Sequence, residues 1–305
     1  MTYTRRSMLA SAAALPVAIA TRPSLAGAPM LGQGRSPFNR FGLGTFEVTT
    51  LLAAERTVPN PHDIFGLNVN AETFEHVSQA GRIPTDRSRF FFTPTMVNTG
   101  RELVLFDTGY TGDDIEAAVS AAGYSPGQVD VVVITHMHPD HIGGLTRGET
   151  PTFPNARYVT GAVEFNAWSG FDSDGFNTKV RPLADRMTML DDGDSVAGDI
   201  TAMAAFGHTP GHMTYMIESE GAQLLVAADF ANHYLWSLAH PDWEVKFDMD
   251  KSAAAATRRR MLDMLATDGV PFVGYHMPWP GTGFVNKSGS GFSYMPTSYQ
   301  LVLDG

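Results

Sequence analysis

The chain has 305 residues, 43% of them hydrophobic and 17% charged, which suits one large α/β domain and excludes a disordered chain. Its 32 acidic residues against 21 basic ones give a formal charge of −11, the wrong sign for a surface that grips phosphate backbones, so nucleic acid is not an expected partner. There is no cysteine, which excludes disulfides, thiolate zinc sites, iron–sulfur clusters and thiol nucleophiles; any metal must be held by carboxylates and the 10 histidines.

Residues 1–26 read as a targeting segment. Thr4-Arg5-Arg6-Ser7-Met8-Leu9 sets two arginines before an alanine-rich run ending at Ala20, which is too short for a membrane span. The arginine pair resembles a twin-arginine export signal, cleaved after Ala26 or after Ala20. It predicts the export machinery as a partner and a periplasmic or secreted mature protein. Residues 27–42, rich in Gly, Pro and Ser, read as a loose leader, and 43–300 as a single domain with its core at 91–277.

Phe46 to Leu52 is β-branched and apolar and predicts a first strand. Residues 56–90 read as irregular apart from one short helix, Ala71 to Gln79. Phe91 to Val97 and Glu102 to Phe106 predict strands joined by a turn at Asn98-Thr99-Gly100. Asp113 to Ala122 predicts a helix with Ile115, Ala118, Val119 and Ala122 on one face. Val129 to Thr135 is a continuous β-branched run, as in a strand buried on both faces. Residues 146–199 read as short helices and Phe- and Trp-rich loops. Ile200 to Phe206, Met213 to Ser219 and Gln223 to Ala228 predict strands, the last two joined at Glu220-Gly221. Lys251 to Thr267 predicts a long helix, with Arg258-Arg259-Arg260 on its exposed face, followed by a strand from Val270 to Tyr275. Two sheet-plus-helix halves without a linker predict an α/β fold, a four-layer αββα sandwich.

The densest chemical signal is His136-Met137-His138-Pro139-Asp140-His141-Ile142-Gly143-Gly144, directly after the buried strand. Imidazole suits borderline divalent ions and carboxylate harder ones, so this mixture fits Zn, with Mn, Co or Fe as alternatives. Histidines two apart on an extended segment can point the same way, while Asp140 and His141 can turn toward a second ion as a helix starts. Asp107, His208, Asp229 and His276 each follow an apolar strand, at the carboxyl ends where open α/β sheets place their sites. His212 lies past Pro210 and Gly211 and is placed to hydrogen-bond a neighbouring loop rather than reach the ion. Trp168, Phe171, His233 and Trp279 are expected substrate-pocket residues, a largely apolar mouth built from the insert loops and from the segments after Asp229 and His276.

Together H-x-H-x-D-H, Asp107-Thr108-Gly109, Gly207-His208-Thr209-Pro210-Gly211-His212 and the isolated Asp229 and His276 resemble the metallo-β-lactamase superfamily, over roughly residues 43–296. Phe153-Pro154-Asn155-Ala156 and His276-Met277-Pro278-Trp279-Pro280-Gly281 point within it to methyl parathion hydrolase-like and lactonase-like members. The resemblance implies that His136, His138 and His208 hold one metal, that Asp140, His141 and His276 hold a second, and that Asp229 bridges them. It makes Asp107 a residue that orients ligands, and it adds Asn232 to the expected substrate pocket, at the position three residues after Asp229 where the acyl-homoserine lactonases carry a tyrosine. It implies a metal-dependent hydrolase in which a hydroxide bridging two divalent ions attacks a small, fairly apolar lactone, ester or phosphotriester, with Asp140 as a proton carrier. The alternatives are a mono-iron oxidoreductase of the persulfide dioxygenase type and a β-lactamase. A small-molecule substrate is the expected partner, and a homodimer is compatible with the sequence.

Overall fold

A computed structural model describes residues 29–303. The export-signal reading of 1–26 lies outside the described residues. Residues 29–35 belong to a separate unit without helix or strand, and the chain from Ser36 onward forms the second unit.

That second unit opens with a hairpin, β1 (Phe38–Leu43) and β2 (Phe46–Leu51). A separate two-stranded ribbon follows, β3 (Ala54–Pro59) against β4 (Arg87–Phe92), with α1 (Ala71–Ala80) inserted between. Next come β5 (Thr95–Asn98), β6 (Leu103–Phe106), α2 (Gly112–Ala121), β7 (Val131–Ile134), the single turn α3 (Pro139–Ile142) and the short pair β8 (Thr146–Arg147) and β9 (Thr150–Pro151). β10 (Arg157–Gly161), α4 (Ala162–Ser169) and β11 (Met187–Leu190) complete the first half. The second half holds β12 (Ile200–Ala204), β13 (Met213–Ser219), β14 (Ala222–Ala228), α5 (Lys251–Asp268), β15 (Phe272–Gly274), β16 (Thr282–Ser288) and β17 (Gly291–Pro296).

Two sheets result, a seven-stranded one ordered β1-β2-β5-β6-β7-β10-β11 and a six-stranded one ordered β12 through β17. Alternation along single strands shows the layers. Val131 and Val133 of β7 face the intersheet core with Ile200, Tyr215, Leu224 and Val226, whereas Val132 and Ile134 face α2 through Ile115 and Val119. In β14, Leu224 and Val226 join the intersheet core while Leu225 and Ala227 meet Met261, Leu262 and Leu265 of α5. Each strand is apolar on both faces because each has a sheet on one side and a helix on the other, the expected αββα sandwich. Burial of each such side chain contributes about 1.5–3 kcal/mol.

Topology also explains why one edge carries the polar residues. β6 runs parallel to β7 and β14 parallel to β15, while β12, two antiparallel steps from β14, points the same way as β14. Within each sheet, therefore, the carboxyl ends that precede the candidate residues share an edge.

Several local expectations need correction. The expected leader 27–42 overlaps β1, which begins at Phe38 and pairs along its whole length with β2. The irregular reading of 56–90 misses the β3–β4 ribbon, and the expected strand over 91–97 breaks at Thr93-Pro94, where proline offers no N–H to a ladder. β10, β11, β16 and β17 were not anticipated; β16 and β17 carry ordered sheet past the expected core limit of 277. Among the described residues no helix is long and apolar enough to cross a membrane.

Candidate metal centre

The histidine-rich loop is shaped by what it packs against. β7 ends at Ile134, His138 precedes the first turn of α3, and Pro139 opens that turn, where a missing N–H costs nothing. Thr108 donates to the His141 carbonyl through both its N–H (2.9 Å) and its hydroxyl (2.8 Å). Gly144 must be glycine here: a Cβ would sit 2.0 Å from the Thr108 carbonyl oxygen. Across the site, Ala228 turns left-handed (φ 48°) after a register shift in β14 and swings Asp229 out of the strand. Asp107 is left-handed too, at φ 61°. Such strain, on the order of 1–3 kcal/mol per residue, tends to sit at functional sites.

Three ring nitrogens converge on the first half of the site. His138 Nδ1 lies 3.2 Å from His136 Nε2 and 3.0 Å from His208 Nε2. Tetrahedral coordination at zinc–nitrogen bonds of about 2.0–2.1 Å sets neighbouring donors about 3.3 Å apart, close to this spacing. The second half is carboxylate-rich: His276 Nε2 is 3.3 Å from Asp140 Oδ2, and His141 Nε2 is 3.6 Å from it. Asp229 Oδ2 stands between the halves, 3.5 Å from His208 Nε2, 3.6 Å from His141 Nε2 and 3.1 Å from His276 Nε2. Donor groups able to hold an ion are His136/His138/His208, His136/His141/Asp229 and Asp140/His141/His276.

Four of these five rings, all but His138, are held by their other nitrogen. His141 Nδ1 donates to Asp107 (2.8 Å), whose carboxylate also accepts from the Thr135 N–H (2.9 Å) and hydroxyl (2.8 Å). Thr135 Oγ1 in turn receives His136 Nδ1 at 3.1 Å. His276 Nδ1 donates to the Phe91 carbonyl (2.9 Å), and His208 Nδ1 to Asp248 (2.8 Å). These bonds fix the tautomers that turn lone pairs inward at His136, His141, His208 and His276. His212 faces elsewhere: its Nε2 accepts from the Asp229 N–H at 3.0 Å, fixing the backbone of the central carboxylate.

Electrostatics split the site in the same way. Burial, then the neighbouring imidazoles, push His136 well below its ordinary pKa, and burial with His208 takes His138 down to about 3. These rings are neutral donors. On the other side burial works against charge, yet Asp107, Asp140 and Asp229 raise His141, and Asp229 and Asp140 raise His276 to about 10. Burial would also raise Asp229, but His276 and His141 hold it well below the usual carboxylate range. The carboxylates thus call for positive charge, which protons on His141 and His276 supply unless a cation displaces them. His141 Nε2 and Asp229 Oδ1 are buried without a hydrogen-bond partner, orphaned atoms of the kind a metal ligand presents before its ion. The residues present therefore fit divalent cations.

Against this geometry stands a family match: the profile of the metallo-beta-lactamase superfamily covers residues 93–276. The chain belongs to that superfamily. Among curated relatives, N-acyl homoserine lactonase AttM of Agrobacterium fabrum is 30% identical over 139 residues, covering 42% of this chain and 49% of AttM. AttM of Azorhizobium caulinodans is 31% identical over 128 residues, 38% of this chain and 46% of the relative. The matched stretch thus spans about half the length of these relatives. Among solved structures, AidC, a dizinc quorum-quenching lactonase, superposes with a TM-score of 0.81 at 24% identity, covering 87% of this chain and 99% of AidC. Hydrolase AbOPH gives 0.78 at 21% identity, covering 88% and 100%. At such identities these structures establish the fold.

In this metallo-β-lactamase superfamily member the cavity beside the metal centre differs from the sequence expectation. It encloses about 290 Å³ and opens onto Asp140, Asp229 and His276. Its walls are Arg56 and Val58 of β3, Phe90 and Phe92 of β4, Tyr110 and Phe247. Alternate residues of the ribbon share the face that covers the site. None of the five expected pocket residues lines it. Trp168 reaches only the edge of the His138 ring (centroids 6.0 Å apart), with Phe171 behind it at 5.6 Å. Asn232 is turned to the Asp229 carboxylate, donating at 3.0 Å. His233 is buried, stacked on Trp236 at 4.0 Å, and borders a different cavity; Trp279 borders neither. The wall of this cavity is formed by the early ribbon rather than by the insert loops.

Three residues at the site carry no sequence signal of their own: Glu164, Asp248 and Arg258. Glu164 is fully buried and accepts from the Met137 N–H (2.9 Å), the Thr209 hydroxyl (2.8 Å) and the Gly211 N–H (2.8 Å), tying the two histidine loops together. Arg258, expected on an exposed helix face, is fully buried beside Asp248, because its face of α5 turns inward over the strand ends.

Proposed function

We propose that this protein is a dinuclear metal-dependent hydrolase acting on a small, fairly apolar lactone or ester. The observation that carries the reading is Asp229 Oδ2, within 3.1–3.6 Å of donors from both halves of the site. In this reading His136, His138 and His208 would hold one ion, Asp140, His141 and His276 would hold the other, and Asp229 would be shared between them, with zinc the first choice on donor type. When bound, such a pair lowers the pKa of water to roughly 7 and polarises a carbonyl oxygen. The chain does the rest: Asn232 fixes the Asp229 carboxylate, Asp107 and Asp248 fix two rings, and the ribbon presents an apolar wall to the substrate. Asp140, which lines the cavity, is the group placed to carry the leaving group's proton. The lactonase names of AttM and AidC support a lactone as substrate. The twin arginines support export to the periplasm for the mature chain.

Purified protein is expected to hold two divalent ions per chain and to lose turnover on chelation, with recovery on adding metal. Full activity at one ion per chain, measured by elemental analysis, rules out the dinuclear mechanism; a single iron with oxygen uptake decides for an oxidoreductase. In a substrate panel, neutral lactones and aryl esters are expected to exceed phosphomonoesters in kcat/KM, because Val58, Ile64, Phe90, Phe92 and Phe247 make the cavity wall mainly apolar. Faster hydrolysis of a phosphomonoester than of every neutral ester contradicts the substrate class.

A further inference from the structure

Arg258 is the first of three consecutive arginines in α5 and is fully buried, unlike Arg260, which is exposed. Its guanidinium spends its donors on the backbone and one carboxylate. Nε donates to the Phe230 carbonyl (3.0 Å), Nη1 to the carbonyls of Pro241 (2.8 Å) and Trp243 (3.3 Å), and Nη2 to Asp248 Oδ2 (2.7 Å). The other oxygen of Asp248 accepts from His208 Nδ1 at 2.8 Å. Phe230 directly follows Asp229. One rigid fork therefore touches the chain beside the central carboxylate and the carboxylate behind a donor histidine.

We propose that Arg258 is a positioning residue of the metal centre, holding Asp248 against His208 while anchoring the segment that carries Asp229, so that both donors approach the ions as one unit. The proposal rests on the dinuclear reading above. Stability alone is a poor account of the arrangement, since a buried ion pair is often replaced by apolar residues at little cost. Direction is a better one: guanidinium donors lie in a fixed plane, which a flexible ammonium cannot reproduce. A carboxylate donating electron density through the far nitrogen of a ligand histidine strengthens that ligand, and loss of such a partner typically weakens metal binding roughly 10–100-fold.

The test uses the full-length protein loaded with zinc or with Co(II), comparing wild type, Arg258→Lys, Arg258→Met, Asp248→Asn and, as a control, Arg260→Ala. Measured are thermal unfolding, zinc dissociation constants by chelator competition, and the visible spectrum of the Co(II) form. Expected are a cooperative melt for Arg258→Lys, about 10–100-fold weaker binding of one zinc, and an altered Co(II) spectrum, with Arg260→Ala as wild type. Folded Arg258→Lys with wild-type zinc affinity and spectrum overturns the proposal. Where both Arg258 variants fail to fold, Asp248→Asn decides: weaker zinc binding supports the relay and unchanged binding overturns it. A wild-type protein that binds no divalent ion removes the dinuclear reading itself, an outcome distinct from wild-type binding of two ions that Arg258 does not influence.

Discussion

His208→Ala is expected to shed at least one metal ion and lose nearly all turnover, whereas His212→Ala keeps both ions. The two histidines are four residues apart in one loop, and both are buried. Their rings do different work. His208 turns Nε2 to within 3.0 Å of His138 Nδ1 and 3.5 Å of Asp229 Oδ2, with Nδ1 braced by Asp248. His212 has its Nε2 lone pair committed to the Asp229 N–H, and burial with the neighbouring His208 takes its pKa down to about 3, so it stays a neutral acceptor. Its removal loosens the Asp229 backbone without deleting a donor. The loss of activity is then about 10–100-fold, as for other orienting partners, and smaller than for His208→Ala. Elemental analysis and turnover of both variants check this. Metal loss in His212→Ala with retention in His208→Ala reverses the assignment.

The second large effect is on stability. Glu164→Ala is expected to lower stability by about 3–5 kcal/mol, because it strands the Met137 and Gly211 N–H groups and the Thr209 hydroxyl, all buried, without their acceptor. For a domain of this size that corresponds to a fall in Tm on the order of 10 °C. Burial pushes the Glu164 carboxyl upward in pKa, and its donors pull it back only in part. Glu164→Gln keeps one acceptor and is expected to fall between wild type and Glu164→Ala. Because Glu164 links the loop of His136 and His138 to the loop of His208, zinc affinity falls along with Tm. A Glu164→Ala variant melting at the wild-type temperature shows that these donors find other partners.

Much of the framework is legible because it is local. The β-branched run from Val131 to Ile134 and the helix at Lys251–Asp268, capped by Asp250 and ended by left-handed Gly269, announce themselves within their own segments. So does the spacing of His136, His138, Asp140 and His141. Short amphipathic pieces fared worse. β3 and β4 pair across an inserted helix, and β16 and β17 alternate weakly, so each is stabilised by a partner strand more than by its own pattern.

Taken alone, the sequence determined the layered fold, the family likeness and the histidines and carboxylates brought together at the strand ends, since strand direction and residue type carry that information. The tertiary structure decided which groups stand behind them and what faces the substrate. Glu164 meets its partners from 27, 45 and 47 residues away, and Asp248 meets His208 from 40. The cavity wall is a ribbon whose alternate residues turn inward only once β3 and β4 pair. A buried Glu, Asp or Arg is indistinguishable in sequence from a solvated one. Its role depends on which distant donors or acceptors are close enough to replace water, and only the packed chain sets that distance.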